Sequence, residues 1–320
     1  MDINRPRHQR HRGNEYIIES GSYRAVIFQQ GSALKSLTWE GIDIVTPSPA
    51  EDIPHSCAGQ LLIPYPNRIE DGQYTFEGVR YELPIDEHER NNAIHGYGYR
   101  AMWNLDSVTE TSITQSWRTP YLSGYPFDLR VRAAYTVDAE GLHVTVTAHN
   151  ADTKNAPWAC AMHPWLANGS DAHGDAIDAA NAQCRLAIPA DTHVTIDGRL
   201  LPTGTENVDG TQYDLRDGPT LEGRPFDDAW TDVRHNTDGL ATAVFTRPDG
   251  ITVELSGDRT VTSFQVCTGT GFPENTRPQG VAVEPQTAYA NAFRSGIGLI
   301  SIAPGEEVST TIHYSAHRAE

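Results

Sequence analysis

Two residues that could act as an acid and a base stand out in the sequence. They are the histidine of His163-Pro164-Trp165 and the glutamate of Val283-Glu284-Pro285-Gln286. An imidazole can donate a proton near neutral pH and a carboxylate can accept one, which are the two halves of general acid–base catalysis. Glu284 also ends an apolar run, where a carboxylate is costly unless it has a partner or a function. We therefore interpret these residues as a catalytic pair.

A second polar group lies earlier in the chain, at Asn67-Arg68-Ile69 and Ile94-His95-Gly96. Between these segments, apolar and polar residues alternate on both sides of Glu77-Gly78, over residues 74–83. This pattern is typical of two strands joined by a short turn. Polar side chains held next to a rigid hairpin indicate a ligand site.

Length and charge limit the functions to consider. A chain of 320 residues can bury a large core, and a net charge of −18 makes attraction to the phosphates of nucleic acids improbable. No run of about 18 apolar residues predicts a membrane span. The basic start, Arg5 to Arg12, lacks the apolar core of a secretory signal. We expect residues 1–15 to form a disordered tail, residues 16–320 a single domain, and the protein to be cytoplasmic.

The cysteines and histidines give no sign of a metal site. Cys57, Cys160, Cys184 and Cys267 are widely spaced and include no CxxC pair, and none of the histidines belongs to an HExxH motif. We expect free thiols and no bound metal ion.

Period-two alternation recurs along the chain and predicts an all-β fold. Residues 242–246 and 251–255 flank Arg247-Pro248-Asp249-Gly250, a turn sequence that predicts an antiparallel hairpin. No segment shows a sustained helical stripe with caps, so we expect little helix. The Ala-, Asp- and Gly-rich stretch 169–190 is predicted to form loops at a sheet edge. Further strands are expected within 23–39, 142–148, 260–268 and 308–317.

Six short segments, in order, resemble those of the aldose 1-epimerase (mutarotase) family. They are Pro66-Asn67-Arg68-Ile69 with Gly72, Tyr74, Phe76 and Gly78; Ile94-His95-Gly96; His163-Pro164-Trp165; Phe226-Asp227-Asp228 with Trp230; Gln265-Val266-Cys267-Thr268-Gly269; and Val283-Glu284-Pro285-Gln286. Each segment alone is weak, but six in order are specific. The resemblance runs from about residue 20 to the end. It implies a large antiparallel β-sandwich of the galactose mutarotase type.

The resemblance also implies an activity that needs no cofactor, the exchange of α and β anomers of a free hexose such as glucose or galactose. Glu284 would take the proton of the C1 hydroxyl and His163 would protonate the ring oxygen, with roles reversed on reclosure. A nearby anion such as Glu284 would favour protonated His163. The implied ligands of the sugar hydroxyls are Asn67, Arg68, His95, Asp227 and Gln265, with Trp165 as an aromatic face and Asp228 competing with Asp227.

Three places depart from the usual family pattern, and they bear on which sugar is preferred rather than on the acid and base: Tyr97, Cys267, and the segment Ala288-Tyr289-Ala290. The small-molecule partner is a monosaccharide, and the protein is expected to be a monomer or a homodimer.

Other functions remain open on the sequence alone. A mutarotase for a 6-phosphorylated or sulfonated sugar would need cations near C6, for which Arg100, Arg277 and Arg294 are candidates, although the acidic chain disfavours it. A non-catalytic sugar-binding β-sandwich would not need both acid and base. A glycoside hydrolase or lyase would need two carboxylates about 5 to 9.5 Å apart.

Overall fold

The computed structural model describes residues 12–49 and 55–318. Within these ranges the chain forms 26 strands, two short α-helices and three 3-10 turns. The strands, β1 to β26 in order, are Glu15–Ser20, Tyr23–Phe28, Leu34–Trp39, Ile42–Val45, Leu61–Leu62, Arg68–Glu70, Gln73–Phe76, Val79–Glu82, Asn92–Ile94, Asn104–Val108, Ser112–Arg118, Leu129–Val137, Leu142–Asn150, Ala156–Trp158, Ala161–Met162, Trp165–Ala167, Arg185–Ala187, Ala190–Ile196, Pro202–Asn207, Asp227–Val233, Ala241–Thr246, Ile251–Gly257, Ser263–Cys267, Gly280–Gln286, Ile300–Ile302 and Glu307–Arg318.

The α-helices are α1 (Ala176–Gln183) and α2 (Ala292–Ser295), and the 3-10 turns are His55–Cys57, Gly98–Arg100 and Glu274–Thr276. No helix among the described residues is long and apolar enough to cross a bilayer. The sequence correctly predicted low helix content, since only these short segments interrupt the strands.

Two large antiparallel sheets make up the β-sandwich. The first has twelve strands, ordered β1-β2-β3-β4-β16-β24-β23-β20-β18-β19, with β15 and β5 attached beside β24. The second has eight strands, ordered β10-β11-β12-β13-β26-β22-β21-β17. Apolar side chains from both sheets form one continuous core cluster that extends from Tyr16 to Ala316. The predicted antiparallel β-sandwich is therefore confirmed.

The predicted hairpins are present with the turns that their sequences require. Strands β7 and β8 pair with Phe76 opposite Val79, so Glu77 and Gly78 form a two-residue loop. Both loop residues have positive φ angles, 49° and 80°, as a type I′ turn requires. Likewise, β21 and β22 pair with Thr246 opposite Thr252 across the predicted turn. Local turn chemistry therefore fixes these registers.

One predicted loop region is wrong. Residues 169–190 were expected to be loops, but they contain α1, β17 and the first residue of β18. The helix has only two buried residues, Ile177 and Asn181, so its apolar stripe is too short to detect as a period. The Asn181 side chain accepts a hydrogen bond from Asn168 Nδ2 and donates one to the carbonyl of Thr268. Tertiary contacts thus stabilise this helix.

Ordered contacts begin earlier than the predicted domain boundary at residue 16. The Arg12 guanidinium is buried, lies 3.6 Å from the centre of the Phe28 ring and donates to Ser48 Oγ at 3.0 Å. Strand β1 then begins at Glu15. The remainder of the predicted tail, residues 1–11, lies outside the described residues. The four cysteines are free, as predicted.

Candidate active site

The site forms on one face of three adjacent strands in the twelve-stranded sheet, β24, β23 and β20. Residues directly opposite each other on paired strands share a face, and side chains alternate between faces along each strand. Gln265 lies opposite Glu284, and Asp227 lies opposite Cys267, two residues further along β23. All four side chains therefore point to the same side. His163 precedes β16, which pairs with the other edge of β24.

The structure brings the proposed acid and base into contact. His163 Nε2 lies 3.2 Å from Glu284 Oε1, and these side chains are only 9% and 3% exposed. The backbone N–H of His163 donates to the Gln60 carbonyl at 3.0 Å, which fixes the position of the histidine. A buried carboxylate and imidazole at this distance can exchange a proton with each other or with a ligand beside them.

Burial shifts the two pKa values in opposite directions. It raises the pKa of Glu284 well above its usual range, and the nearby negative charge of Asp227 adds to this shift. Burial also lowers the pKa of His163 to about 4. The expectation that Glu284 would favour protonated His163 is therefore wrong, because burial lowers the pKa of His163. Desolvation outweighs the attraction between the two groups and favours protonated Glu284 beside neutral His163.

Asn67 and His95 are locked together beside this pair. The Asn67 backbone N–H donates to His95 Nδ1 at 3.1 Å, and the Asn67 side-chain Nδ2 donates to Gln265 Oε1 at 3.1 Å. Since Nδ1 accepts a hydrogen bond, the proton of neutral His95 is on Nε2. Burial and the neighbouring His163 lower the pKa of His95 well below its usual value. His95 is therefore a neutral donor, with its ring centre 5.9 Å from that of His163.

The Arg68 side chain is held by a residue that the sequence did not single out. Glu87 accepts from Arg68 Nε and Nη2 at 3.0 Å each, in a two-pronged arrangement. Glu87 also accepts from Asn92 Nδ2 at 2.9 Å and from Arg90 Nη1 at 3.0 Å. Burial alone would raise the pKa of Glu87, but the hydrogen bonds and charge of Arg68 outweigh it and lower that pKa. The guanidinium plane is thereby fixed facing the site.

Asp227 and Asp228 point to opposite faces of the sheet. Gln265 Nε2 donates to Asp227 Oδ1 at 2.8 Å, and Arg68 Nη2 lies 3.8 Å from Asp227 Oδ2. Asp228 instead faces the core, where its Oδ1 lies 2.9 Å from His193 Nε2. The structure therefore places Asp227, and not Asp228, with the other candidate ligands.

His193 forms a second buried polar group behind the site. Its Nδ1 lies 3.0 Å from Glu206 Oε1, and its ring stacks on Tyr213 with centroids 3.5 Å apart. Its partner Asp228 also accepts a hydrogen bond from the backbone N–H of Asp227 at 3.1 Å. The group thus supports the strand that carries Asp227. Its members are far apart in sequence, which left no local signal for them.

Trp165 lies next to His163 but is closed off from solvent. Its ring centre is 5.7 Å from that of His163 and 6.3 Å from that of Phe272, and the residue is 1% exposed. Its indole Nε1 donates to the Ser56 carbonyl at 2.9 Å. The predicted contact between the Trp165 ring and the sugar remains a prediction.

The departure at Ala288-Tyr289-Ala290 lines a small cavity of the site. A cavity of about 10 Å³ lies between the polar side chains of Asn67, Arg68, Asp227 and Gln265 and an apolar wall. The wall consists of Val194, Ile196, Leu200, Pro202, Ala229, Tyr289 and Ala290. Tyr289 therefore lies where it can affect the choice of ligand. In the part of the chain that the structure describes, no group of three His, Cys, Asp or Glu side chains is arranged to hold a metal ion.

Comparison with known proteins identifies the family of this chain. A model of the aldose 1-epimerase family matches residues 15–315, so the chain belongs to the aldose 1-epimerase family and is an isomerase. It is 31% identical over 296 residues to the uncharacterized protein YihR of Escherichia coli (strain K12), a match that covers 92% of this chain and 90% of YihR. Galactose mutarotase of Rattus norvegicus is 31% identical over 156 residues, or 47% of this chain and 42% of that enzyme.

Solved structures show the same fold. The GalM/aldose epimerase homologue from C. elegans aligns with a TM-score of 0.82 at 20% identity, covering 96% of this chain and 99% of that one. Galactose 1-epimerase from Lactobacillus acidophilus NCFM also aligns with a TM-score of 0.82, at 17% identity and with 99% and 98% covered. The galactose mutarotase-type β-sandwich is therefore shared along the whole length.

Proposed function

We propose that the protein interconverts the α and β anomers of a free aldohexose such as glucose or galactose. The observation that carries this proposal is the contact of His163 Nε2 with Glu284 Oε1 at 3.2 Å within a cluster of neutral and charged hydroxyl ligands. The cluster consists of Asn67, Arg68, His95, Asp227 and Gln265. Their amide, guanidinium, imidazole and carboxylate groups supply both the donors and the acceptors that a sugar rim requires.

The reaction needs one proton removed and one delivered. Glu284 takes the proton of the C1 hydroxyl, the bond between C1 and the ring oxygen breaks, and His163 delivers a proton to that oxygen. The product is the open-chain aldehyde. After rotation about the C1–C2 bond, Glu284 returns its proton to the carbonyl oxygen, the ring oxygen attacks C1, and His163 recovers the proton of that hydroxyl.

The opposite pKa shifts of the pair support this proton balance. Ring opening converts ionised Glu284 and protonated His163 into two neutral groups, which is the state that burial favours. Closing the ring reverses the transfer. Total charge in the buried site is unchanged throughout, so no step leaves an uncompensated charge away from water. The pair needs no proton from solvent during a cycle.

The three arginines that could bind a charged group at C6 are each paired with a carboxylate, which favours an uncharged sugar over a 6-phosphorylated or sulfonated one. Arg100 Nη2 lies 2.8 Å from Asp86 Oδ2, Arg277 Nη1 lies 2.8 Å from Asp175 Oδ1, and Arg294 Nε lies 3.0 Å from Glu70 Oε2. A phosphate or sulfonate would have to compete with a carboxylate at each of these candidate cations. We also propose that the protein acts in the cytoplasm, a reducing compartment that fits its four free thiols. We propose in addition that it is a monomer or a homodimer.

Polarimetry tests the proposed function. Freshly dissolved α-D-glucose and α-D-galactose should approach their equilibrium rotation faster with the protein than in buffer alone. The ratio of the two accelerations ranks the sugars. No acceleration of either sugar would contradict the proposal. In that case the same assay with glucose 6-phosphate and a 6-sulfonated glucose would test the charged-sugar alternative.

Glu87→Gln should raise KM for the sugar about 10- to 100-fold while changing kcat less. The change removes a charge-assisted bond worth about 1.5 to 3 kcal/mol and turns an amide N–H toward Arg68, so the guanidinium loses its fixed orientation. KM and kcat are measured by polarimetry over a range of sugar concentrations.

The matched control is Glu89→Gln, which makes the same change two residues away. The Glu89 side chain is 73% exposed and lies 3.8 Å from Arg90. Exposed pairs of this kind contribute little, so its kinetics should match those of the wild type. An unchanged KM in Glu87→Gln would show that Arg68 does not need its partner in order to bind the sugar.

A further inference from the structure

Gln286 is placed to act on Glu284. It lies two residues after Glu284 on β24, so both side chains point to the same face. Its partners across the sheet are Ser263 on β23 and Ala161 on β15. Gln286 is fully buried, at 0% exposed. A buried glutamine at this position requires a polar partner.

That partner is the second oxygen of the base. Gln286 Nε2 donates to Glu284 Oε2 at 3.2 Å, while Glu284 Oε1 faces His163 Nε2 at the same distance. The two neighbours therefore hold the carboxyl group at both oxygens and fix its plane. Because the amide nitrogen can only donate, the contact is strongest when Glu284 is ionised.

The other ionisable groups around Glu284 show what this contact must oppose. Among the described residues they are His163, Asp227, Arg68, Cys57 and Cys267. Burial and Asp227 raise the pKa of Glu284, whereas the Gln286 hydrogen bond and the charge of Arg68 lower it. Of the two groups that lower this pKa, only Gln286 touches the carboxyl group, and it carries no charge.

We infer that Gln286 is a positioning residue for the catalytic base, holding Glu284 with one oxygen toward the C1 hydroxyl and stabilising its ionised form. The inference rests on the proposed mutarotase function for its kinetic consequence. Its structural content, the preference of Gln286 for ionised Glu284, holds whatever the substrate is.

One substitution tests the inference through the pH dependence of kcat. Gln286→Met keeps the length but removes the donor, so kcat should fall about tenfold with KM within about twofold. Since Glu284 then binds its proton more tightly, the alkaline limb of the kcat profile should move to higher pH.

Ser263→Ala is the matched control. Ser263 is fully buried directly opposite Gln286, and its Oγ has no hydrogen-bond partner among the described residues. Loss of this hydroxyl perturbs the same strand pair without touching the base. A purely structural role for Gln286 predicts that Gln286→Met and Ser263→Ala both lower activity without moving the alkaline limb. That result would overturn the inference.

Infrared difference spectroscopy over a pH series separates this inference from the proposed function. The carbonyl band of protonated Glu284 is identified as the band missing in Glu284→Gln. In Gln286→Met this band should persist to higher pH than in the wild type, even if the protein accelerates no mutarotation. Identical titration of the band in the two proteins would overturn the inference. If the band is shifted but polarimetry shows no acceleration, the proposed function is rejected and the inference about Gln286 stands.

Discussion

Glu284→Gln is expected to lower kcat for mutarotation by about 10² to 10⁴, because a positioned proton acceptor contributes about this factor. Glutamine keeps the shape of the side chain but cannot take the proton of the C1 hydroxyl. Polarimetry with a saturating sugar gives kcat directly, and KM should change little. The control is Glu307→Gln, which alters an exposed glutamate on β26 and should leave kcat unchanged. Full activity in Glu284→Gln would reject the proposed mechanism.

The same substitution should stabilise the fold at neutral pH, by about 0.5 to 2 kcal/mol. Because the folded-state pKa of Glu284 is raised, the folded protein holds a proton that the unfolded chain releases as pH rises above about 4.3. Wild-type stability contributed by this group is therefore fully present below that pH and is lost as pH increases. Urea unfolding should show no gain in Glu284→Gln at pH 4 and a growing gain toward pH 8.

A gain in stability together with a loss of activity would separate chemistry from folding. A carboxyl group placed only for structure would instead destabilise the fold when replaced, since its contacts with His163 and Gln286 would be weakened. Loss of stability at pH 8 would therefore contradict the assignment of Glu284 as a base held in an unfavourable environment.

The sheets could be predicted from the sequence because their signals are local. Alternation in 142–148 and the turn residues Glu77-Gly78 and Arg247-Pro248-Asp249-Gly250 each depend only on neighbours in the chain. The resemblance of six segments to one family then supplied the sandwich and the site residues together. The structure places seven of the eight candidates around one another, and the eighth, Trp165, beside His163 but covered.

The supporting residues could not be predicted, since their importance depends on contacts between distant segments. Glu87 acquires its significance only when β6 brings Arg68 within 3.0 Å of it. The pairing of His193 with Asp228 likewise joins β18 to β20. Helix α1 was missed for a related reason, because it has only two buried residues and one of them, Asn181, is held by hydrogen bonds to distant segments.

The choice between Asp227 and Asp228 shows where sequence information ends. Adjacent residues on a strand point to opposite faces, so the two cannot both face the site. Which of them does so depends on the register of β20 against β23, and a shift by one residue would exchange them. The observed pairing of Asp227 with Cys267 settles their placement. The protonation states of His163 and Glu284, the proposed acid and base, could not be predicted either, because they depend on how completely the folded protein excludes water.

His163→Asn should also lower kcat by about 10² to 10⁴, because the ring oxygen loses its proton donor. The kcat of the wild type should not depend on pH while His163 and Glu284 together hold one proton. It should fall toward pH 4, where His163 takes up a second proton. It should also fall at high pH, as the shared proton is lost. Polarimetry from pH 4 to 9, corrected for spontaneous exchange, measures these limbs. His173→Asn, at an exposed histidine, is the control.

The residual activities of the two catalytic variants should depend on pH in opposite ways. With His163 replaced, catalysis requires ionised Glu284, whose pKa is raised, so the remaining rate should increase as pH rises. With Glu284 replaced, catalysis requires protonated His163, whose pKa is about 4, so the remaining rate should increase as pH falls. Parallel profiles in the two variants would mean that neither residue transfers the proton assigned to it, and that some other group carries the acid or base function.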